Sequence, residues 1–216
     1  AKHMGYNGFS EMKRVFQSHL ISTASSKERL ESFSYEVSRA PRNSPATFLE
    51  TLVNNDIAAL NDLKNSISSE AIEQAVTLLQ EAETIYVLGQ LRSFSVAYNI
   101  RYLLLYLRQN VRLLDGSGGL ATEEAELMSE KSLLVAVSFR YYAREVVDIV
   151  EGTARKNIPI LAITDSQLSP LNKHATCSLV VPGAGHKFSY SLAASMCLAQ
   201  SLIISIASRL HIEGSE

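Results

Sequence analysis

Cysteine is scarce in this chain: two residues in 216, Cys177 and Cys197. A scaffold held by many disulfides is therefore excluded. Spacing alone leaves one bridge open, but two buried thiols in a reducing cytoplasm is the simpler reading. No Cys-x-x-Cys and no Cys/His cluster with zinc spacing occurs, so no metal site is expected. A charge excess is missing too. Lys+Arg number 20 against 22 Asp+Glu, for a formal net charge of -2. Nucleic-acid binding by these residues alone is not indicated. The first residues are polar and lack the apolar run of a secretory signal, so a cytoplasmic location is expected. The dinucleotide fingerprint GxGxxG and the P-loop Lys are both absent, and no cofactor is expected. A stretch of spanning length, Ser189–Ser208, carries no formal charge but holds seven serines or glutamines. That polar load fits a buried helix at a core or subunit interface better than lipid, so no membrane contact is expected.

What is present is a globular composition, 46% apolar and 19% charged. The length suits one α/β domain with an appendage. Ser44-Pro45 opens a helix whose Phe48, Leu49, Leu52, Val53, Ile57, Leu60 and Leu63 recur at helical spacing. A second helix starts at Ser69. From Thr84 the pattern changes to apolar runs of strand length: Thr84–Leu88, Val111–Asp115, Ser132–Phe139, Ile158–Thr164 and Cys177–Val181. Helices fit between and after them at Phe94–Arg108, Thr122–Ser129, Arg144–Lys156 and Phe188–Leu210. Strands apolar throughout, alternating with helices, predict an α/β fold: a three-layer αβα sandwich on a five-stranded parallel sheet, preceded by helices. Residues 22–44 are polar and read as a linker, with a weak helix over Ser26–Arg39.

The chemistry is expected at strand ends, because ligands of open α/β sheets sit there. Gly89-Gln90-Leu91-Arg92-Ser93 leaves one strand and opens a helix. Its helix-start amides, the Ser93 hydroxyl and Arg92 are suited to an anion. Asp115-Gly116-Ser117-Gly118-Gly119 follows the second strand, and its glycines permit close backbone approach to a ligand. The densest cluster is LLVAVSFRYYARE, Leu133–Glu145. Ser138 can donate to a phosphate or carboxylate oxygen, Arg140 can grip it bidentately, and Tyr141 and Tyr142 can stack on a sugar or pack under the loop. Arg144 and Glu145 read as helix surface. His186 and Lys187 precede the last helix after a Gly-rich turn, where His186 could reach a neighbouring subunit's site. No catalytic constellation can be argued from the spacing.

Three of these segments carry a resemblance. TIYVLGQLRS, SFRYYARE and IPILAITDSQLSPLNKHATCSLVVPG resemble the sugar isomerase (SIS) domain of the RpiR/MurR family of bacterial transcriptional regulators, over about Pro45–His211. GYNGFSEMKRVF resembles the end of that family's N-terminal helix-turn-helix domain. The resemblance implies residues 1–21 as a remnant of that domain, 22–44 as linker and 45–211 as effector domain. His3-Met4 reads either as native chain or as a cloning scar. The implied function is a DNA-binding regulator of carbohydrate metabolism. It would bind a phosphosugar or sugar acid and meet operator DNA through the helix-turn-helix. A homodimer or tetramer is also implied, its interface on the Phe48–Leu63 and final helices. The alternative is an aldose–ketose sugar-phosphate isomerase, with Glu123, Glu124 and His186 as candidate bases, and a third reading is an oligomerisation module with a decayed site. The family's common ligand loop is SxSGxTxE. Here Ser138 keeps the first Ser, while Arg140, Tyr141 and Ala143 stand for the second Ser, the Gly and the Thr. The expected ligand residues are Gly89, Arg92, Ser93, Gly116, Ser117, Ser138, Arg140, Tyr141 and His186.

Overall fold

The computed structural model describes residues 45–182 and 191–213, with Ile21, Ser22, Lys27, Glu31, Ser34 and Tyr35. All of the expected helix-turn-helix remnant 1–21 except Ile21, most of the expected linker and His186 with its Gly-rich turn lie outside the described residues.

Two helices lead into the sheet, α1 (Pro45–Ser66) and α2 (Ser69–Glu81). Ser68 caps α2, its hydroxyl accepting from the Ala71 amide at 3.2 Å, which satisfies one of the otherwise unpaired first-turn donors. Then strands and helices alternate: β1 (Thr84–Gly89), α3 (Ser93–Tyr106), β2 (Val111–Leu114), α4 (Ala121–Glu126), β3 (Ser132–Ser138), α5 (Arg144–Arg155), β4 (Ile160–Thr164), β5 (Cys177–Val180) and α6 (Ala193–Glu213). The expected strand from Ile158 begins two residues later, after Pro159, whose carbonyl accepts from the Leu134 amide. A 3-10 helix, Pro170–Lys173, lies between the last two strands. The expected Thr122–Ser129 helix is the shorter α4.

All five strands are parallel, in the order β2-β1-β3-β4-β5. Successive side chains of a strand point to opposite faces, and the core divides accordingly. Ile85, Val87, Leu133, Val135, Leu161 and Ile163 face α2, α3 and α6. Tyr86, Leu88, Leu134, Ala136, Ile160 and Ala162 face α4 and α5. The three middle strands are buried nearly end to end, while edge strand β2 leaves Arg112 exposed and Leu113 half-buried, and edge strand β5 leaves only its Ser178 and Val180 face half-buried. This is the three-layer sandwich that the apolar runs predict.

Helix α6 is long and apolar enough to cross a membrane, yet it packs on α1, α2 and α3. Leu198, Ala199, Leu202 and Ile206 are buried on it, and Ile204 is exposed. The thiol expectation needs correcting in part. Both cysteines are free, and Cys177 is buried, but Cys197 is exposed on α6. A helix apolar on every side gives no sequence cue to which side faces out. Along α1 only Ala59 is buried, leaving Phe48, Leu49, Leu52, Val53, Ile57 and Leu60 uncovered.

Strand order decides where a site can form. From β1 the chain crosses to β2 on one side, then returns past β1 to β3 on the other. The reversal opens a crevice at the carboxyl ends of β1 and β3, the position where open α/β sheets bind ligands.

Candidate functional site

Gly89 ends β1 and lies close under α3. A Cβ there would come within 2.7 Å of the Ala97 Cβ and 3.0 Å of the Ser93 carbonyl oxygen. The glycine lets the helix start against the strand, and it is not among the residues that line the cavity between the β1 and β3 loops. The turn that follows is tight. Leu91 takes φ 55°, a left-handed conformation that costs a non-glycine residue roughly 1–2 kcal/mol. Ser93 is buried, and its hydroxyl accepts from the Phe139 amide at 3.1 Å. The Gly89–Ser93 loop thus holds the start of the loop that leaves β3.

That second loop, Ser138–Ala143, is held from several sides. The Arg92 Nη2 donates to the Arg140 carbonyl at 2.8 Å. Asp165, just past β4, receives the Arg140 amide at 3.0 Å and the Tyr142 hydroxyl at 2.8 Å, one on each carboxylate oxygen. Gln90 donates to the Glu145 carboxylate and so joins the two loops again. The tyrosines separate. Tyr142 is 1% exposed in the core facing α5, while Tyr141 is 58% exposed with the Arg140 guanidinium over its ring at 5.2 Å. Burial, then the Asp165 charge, raises the Tyr142 hydroxyl well above the usual tyrosine range.

Between the loops lies a cavity of about 160 Å³ lined by Gln90, Leu91, Arg92, Ser93, Ser138, Phe139, Arg140, Tyr141 and Ala143. Five expected ligand residues converge there: Arg92, Ser93, Ser138, Arg140 and Tyr141. A smaller hollow beside it shares Arg92 and Phe139 and continues to Asp165, Ser191 and Ser195.

Several expectations change. Gly116 and Ser117 do not line the cavity, because β2 is the sheet edge on the far side of β1 from β3. They form a local turn: Gly116 has φ 75°, and the Ser117 amide donates to the Asp115 carboxylate at 2.8 Å. Hydrogen bonds from the Ser117 side chain and amide hold the Asp115 carboxyl below its ordinary range. The α3 first turn is also less open to an anion than its sequence suggests. The Ser93, Phe94 and Ser95 amides donate back to the Gln90, Leu91 and Arg92 carbonyls. Glu145, taken as plain helix surface, links the two loops. Asp165 was missed, and its signal was an acid directly after the apolar run ILAIT. Among the described residues, no group of three or more His, Cys, Asp or Glu is placed to hold a metal.

A family model, the SIS domain, matches residues 78–205. The chain belongs to the SIS domain family. Its match to the SIS domain of the RpiR transcription factor from Sphaerobacter thermophilus is 30% identical, with a TM-score of 0.70, and covers 74% of this chain and 89% of that one. The transcriptional regulator YfhH of Escherichia coli, of the helix-turn-helix type and uncharacterized, is 28% identical over 94% of this chain and 70% of its own length. The Vibrio vulnificus NanR protein, solved with ManNAc-6P, shares the fold at a TM-score of 0.68 and 20% identity, over 96% of this chain and 72% of that one. This SIS domain is of the kind carried by RpiR-type transcriptional regulators.

Proposed function

We propose that this chain is the effector-binding part of a DNA-binding transcriptional regulator of carbohydrate metabolism, and that its ligand is a phosphosugar or related acidic sugar. The observation that carries this is the convergence of Arg92, Ser93, Ser138 and Arg140 on one cavity at the β1–β3 crevice. Two guanidiniums and two hydroxyls match the oxygens of a terminal phosphate, and guanidinium binds such a group bidentately. The similarity to RpiR and NanR, the latter solved with a phosphosugar, supports the ligand class. Operator DNA would be met through a helix-turn-helix domain, toward which residues 1–21 show sequence resemblance.

An enzymatic role is less well supported. Isomerisation needs a base within reach of a carbon-bound proton. Glu123 and Glu124 do not line the cavity. Among the described residues, Asp165 and Glu145, which bond to the loops around the cavity, already accept hydrogen bonds, and His186 lies outside those residues. Association of copies fits the uncovered apolar face of α1 and the exposed Ile204 of α6, and a soluble cytoplasmic setting fits the similarity to transcriptional regulators. An apolar face of that kind marks an interaction surface.

The test is a thermal-shift screen with hexose 6-phosphates, N-acetylhexosamine 6-phosphates and sugar acids, since a ligand of the folded state raises the melting temperature by mass action. Arg140→Ala is expected to weaken binding of the best of these by about 2–4 kcal/mol, the usual cost of removing one partner of a charge-assisted contact. No shift with any compound refutes the reading, as does turnover of a phosphosugar by the purified chain.

A further inference from the structure

Outside the sandwich, Ile21 and Ser22 form a short parallel pairing with Tyr142 and Ala143, Ile21 opposite Tyr142 and Ser22 opposite Ala143. These partners belong to the same loop that borders the cavity, and Ala143 lines it. The N-terminal segment therefore pairs with the same stretch of backbone that borders the cavity. We infer that seating of the 21–22 segment and occupation of the cavity are coupled through the Ser138–Ala143 loop, with the segment as the element that carries ligand occupancy toward the N-terminus. The inference rests on the ligand reading above and adds to it the route of regulation.

The physical case has two steps. A two-residue pairing is far too small to hold by itself, so the segment seats only where the loop already presents its edge. The loop's shape is set by the contacts described above: Ser93 on the Phe139 amide, Arg92 on the Arg140 carbonyl, and Asp165 on the Arg140 amide and Tyr142 hydroxyl. An anion in the cavity meets Arg92 and Arg140 and so acts on these same holds. Two events that need one loop arrangement help each other, because the ordering cost falls once for both. The coupling is then positive, and reciprocity requires that unseating the segment weaken the ligand by the factor with which the ligand seats the segment.

The experiment uses the full chain with Ile21→Pro and Ser22→Pro together. Prolines remove both amide donors of the segment. Both positions lie outside the sandwich, and an unchanged far-UV spectrum checks the fold. Glucose 6-phosphate, N-acetylmannosamine 6-phosphate and inorganic phosphate serve as probes by calorimetry. Hydrogen exchange is followed across residues 138–143. The expected result is a Kd at least about 5-fold weaker in the double variant, the lower end of ordinary coupling, with faster exchange of the loop before any probe is added. A probe that binds both chains within 2-fold overturns the coupling and leaves the ligand reading standing. Tighter binding by the double variant overturns it as well. If none of the three probes binds the unsubstituted chain, the ligand reading falls and this inference with it.

Discussion

Replacing Asp165 by Ala tests how the cavity loop is held. The carboxylate accepts the Tyr142 hydroxyl at 2.8 Å and the Arg140 amide at 3.0 Å. A hydrogen bond to a charged group contributes about 1.5–3 kcal/mol net, and a buried donor left alone costs about 1–3 kcal/mol. Tyr142 is 1% exposed, so its loss lies in this range. The Arg140 amide is exposed, and water replaces its partner at about 0.5 kcal/mol. Asp165→Ala should therefore lower stability by about 2–3 kcal/mol, and Tyr142→Phe, which leaves no lone donor, by about 1–1.5 kcal/mol. Because both act on one contact, the double variant should lose no more than about 2.5 kcal/mol, a coupling of roughly 1–2 kcal/mol. Urea unfolding followed by far-UV circular dichroism, at fixed chain concentration, reads all four proteins. A loss under about 0.5 kcal/mol for Asp165→Ala, or simple additivity of the two changes, would refute the reasoning.

The raised Tyr142 hydroxyl gives a pH signature with a definite sign. The unfolded chain releases this proton near pH 10 while the folded chain keeps it. Its contribution is whole below that pH and is lost as pH rises above it. Tyr142→Phe should therefore flatten the fall in stability above about pH 10, and equal slopes for the two proteins would contradict the assignment. Gly89→Ala places a Cβ 2.7 Å from the Ala97 Cβ and should cost about 1–3 kcal/mol, as overpacking does. Adding Ala97→Gly should restore part of it in the same urea assay, and no recovery would mean the clash is not the cause.

Much of the fold was legible because the middle strands are covered on both faces. Their sequences are therefore unbroken apolar runs, and β1, β3 and β4 fall within one or two residues of expectation. The edge strands show as shorter and less regular apolar runs, Val111–Asp115 and Cys177–Val181. Strand order was not legible, and it decides the site. It sets the Gly89 loop against the Ser138 loop and leaves the Gly116-Ser117 turn at the far edge, although all three are strand-end loops suited to a ligand by sequence. Asp165 was missed for the same reason. Its importance comes from contacts across the sequence, to Arg140 and Tyr142, which no local pattern displays. Glu145 was misjudged because helix position predicts exposure and is silent about a Gln90 partner from another loop.

The altered loop and the hydrogen bonds point to the same physical conclusion. A phosphate cradle made of loop amides needs those amides free. In this chain Ser93 takes the Phe139 amide, Asp165 takes the Arg140 amide, and the α3 first-turn amides bond back to Gln90, Leu91 and Arg92. Under the proposed ligand reading, the donors on the cavity lining are then side chains: the Ser93 and Ser138 hydroxyls and the Arg92 and Arg140 guanidiniums. A grip built this way follows charge more than shape. On the proposed reading such a grip would favour a phosphate dianion over a single carboxylate, because Arg92 and Arg140 both line the cavity, and would weaken with ionic strength as partly exposed charges are screened. Substituting Arg140 for a small hydroxyl residue is therefore consistent with the fixing of its own amide by Asp165. The backbone donor is withdrawn, and a longer, charged donor extends from the same residue.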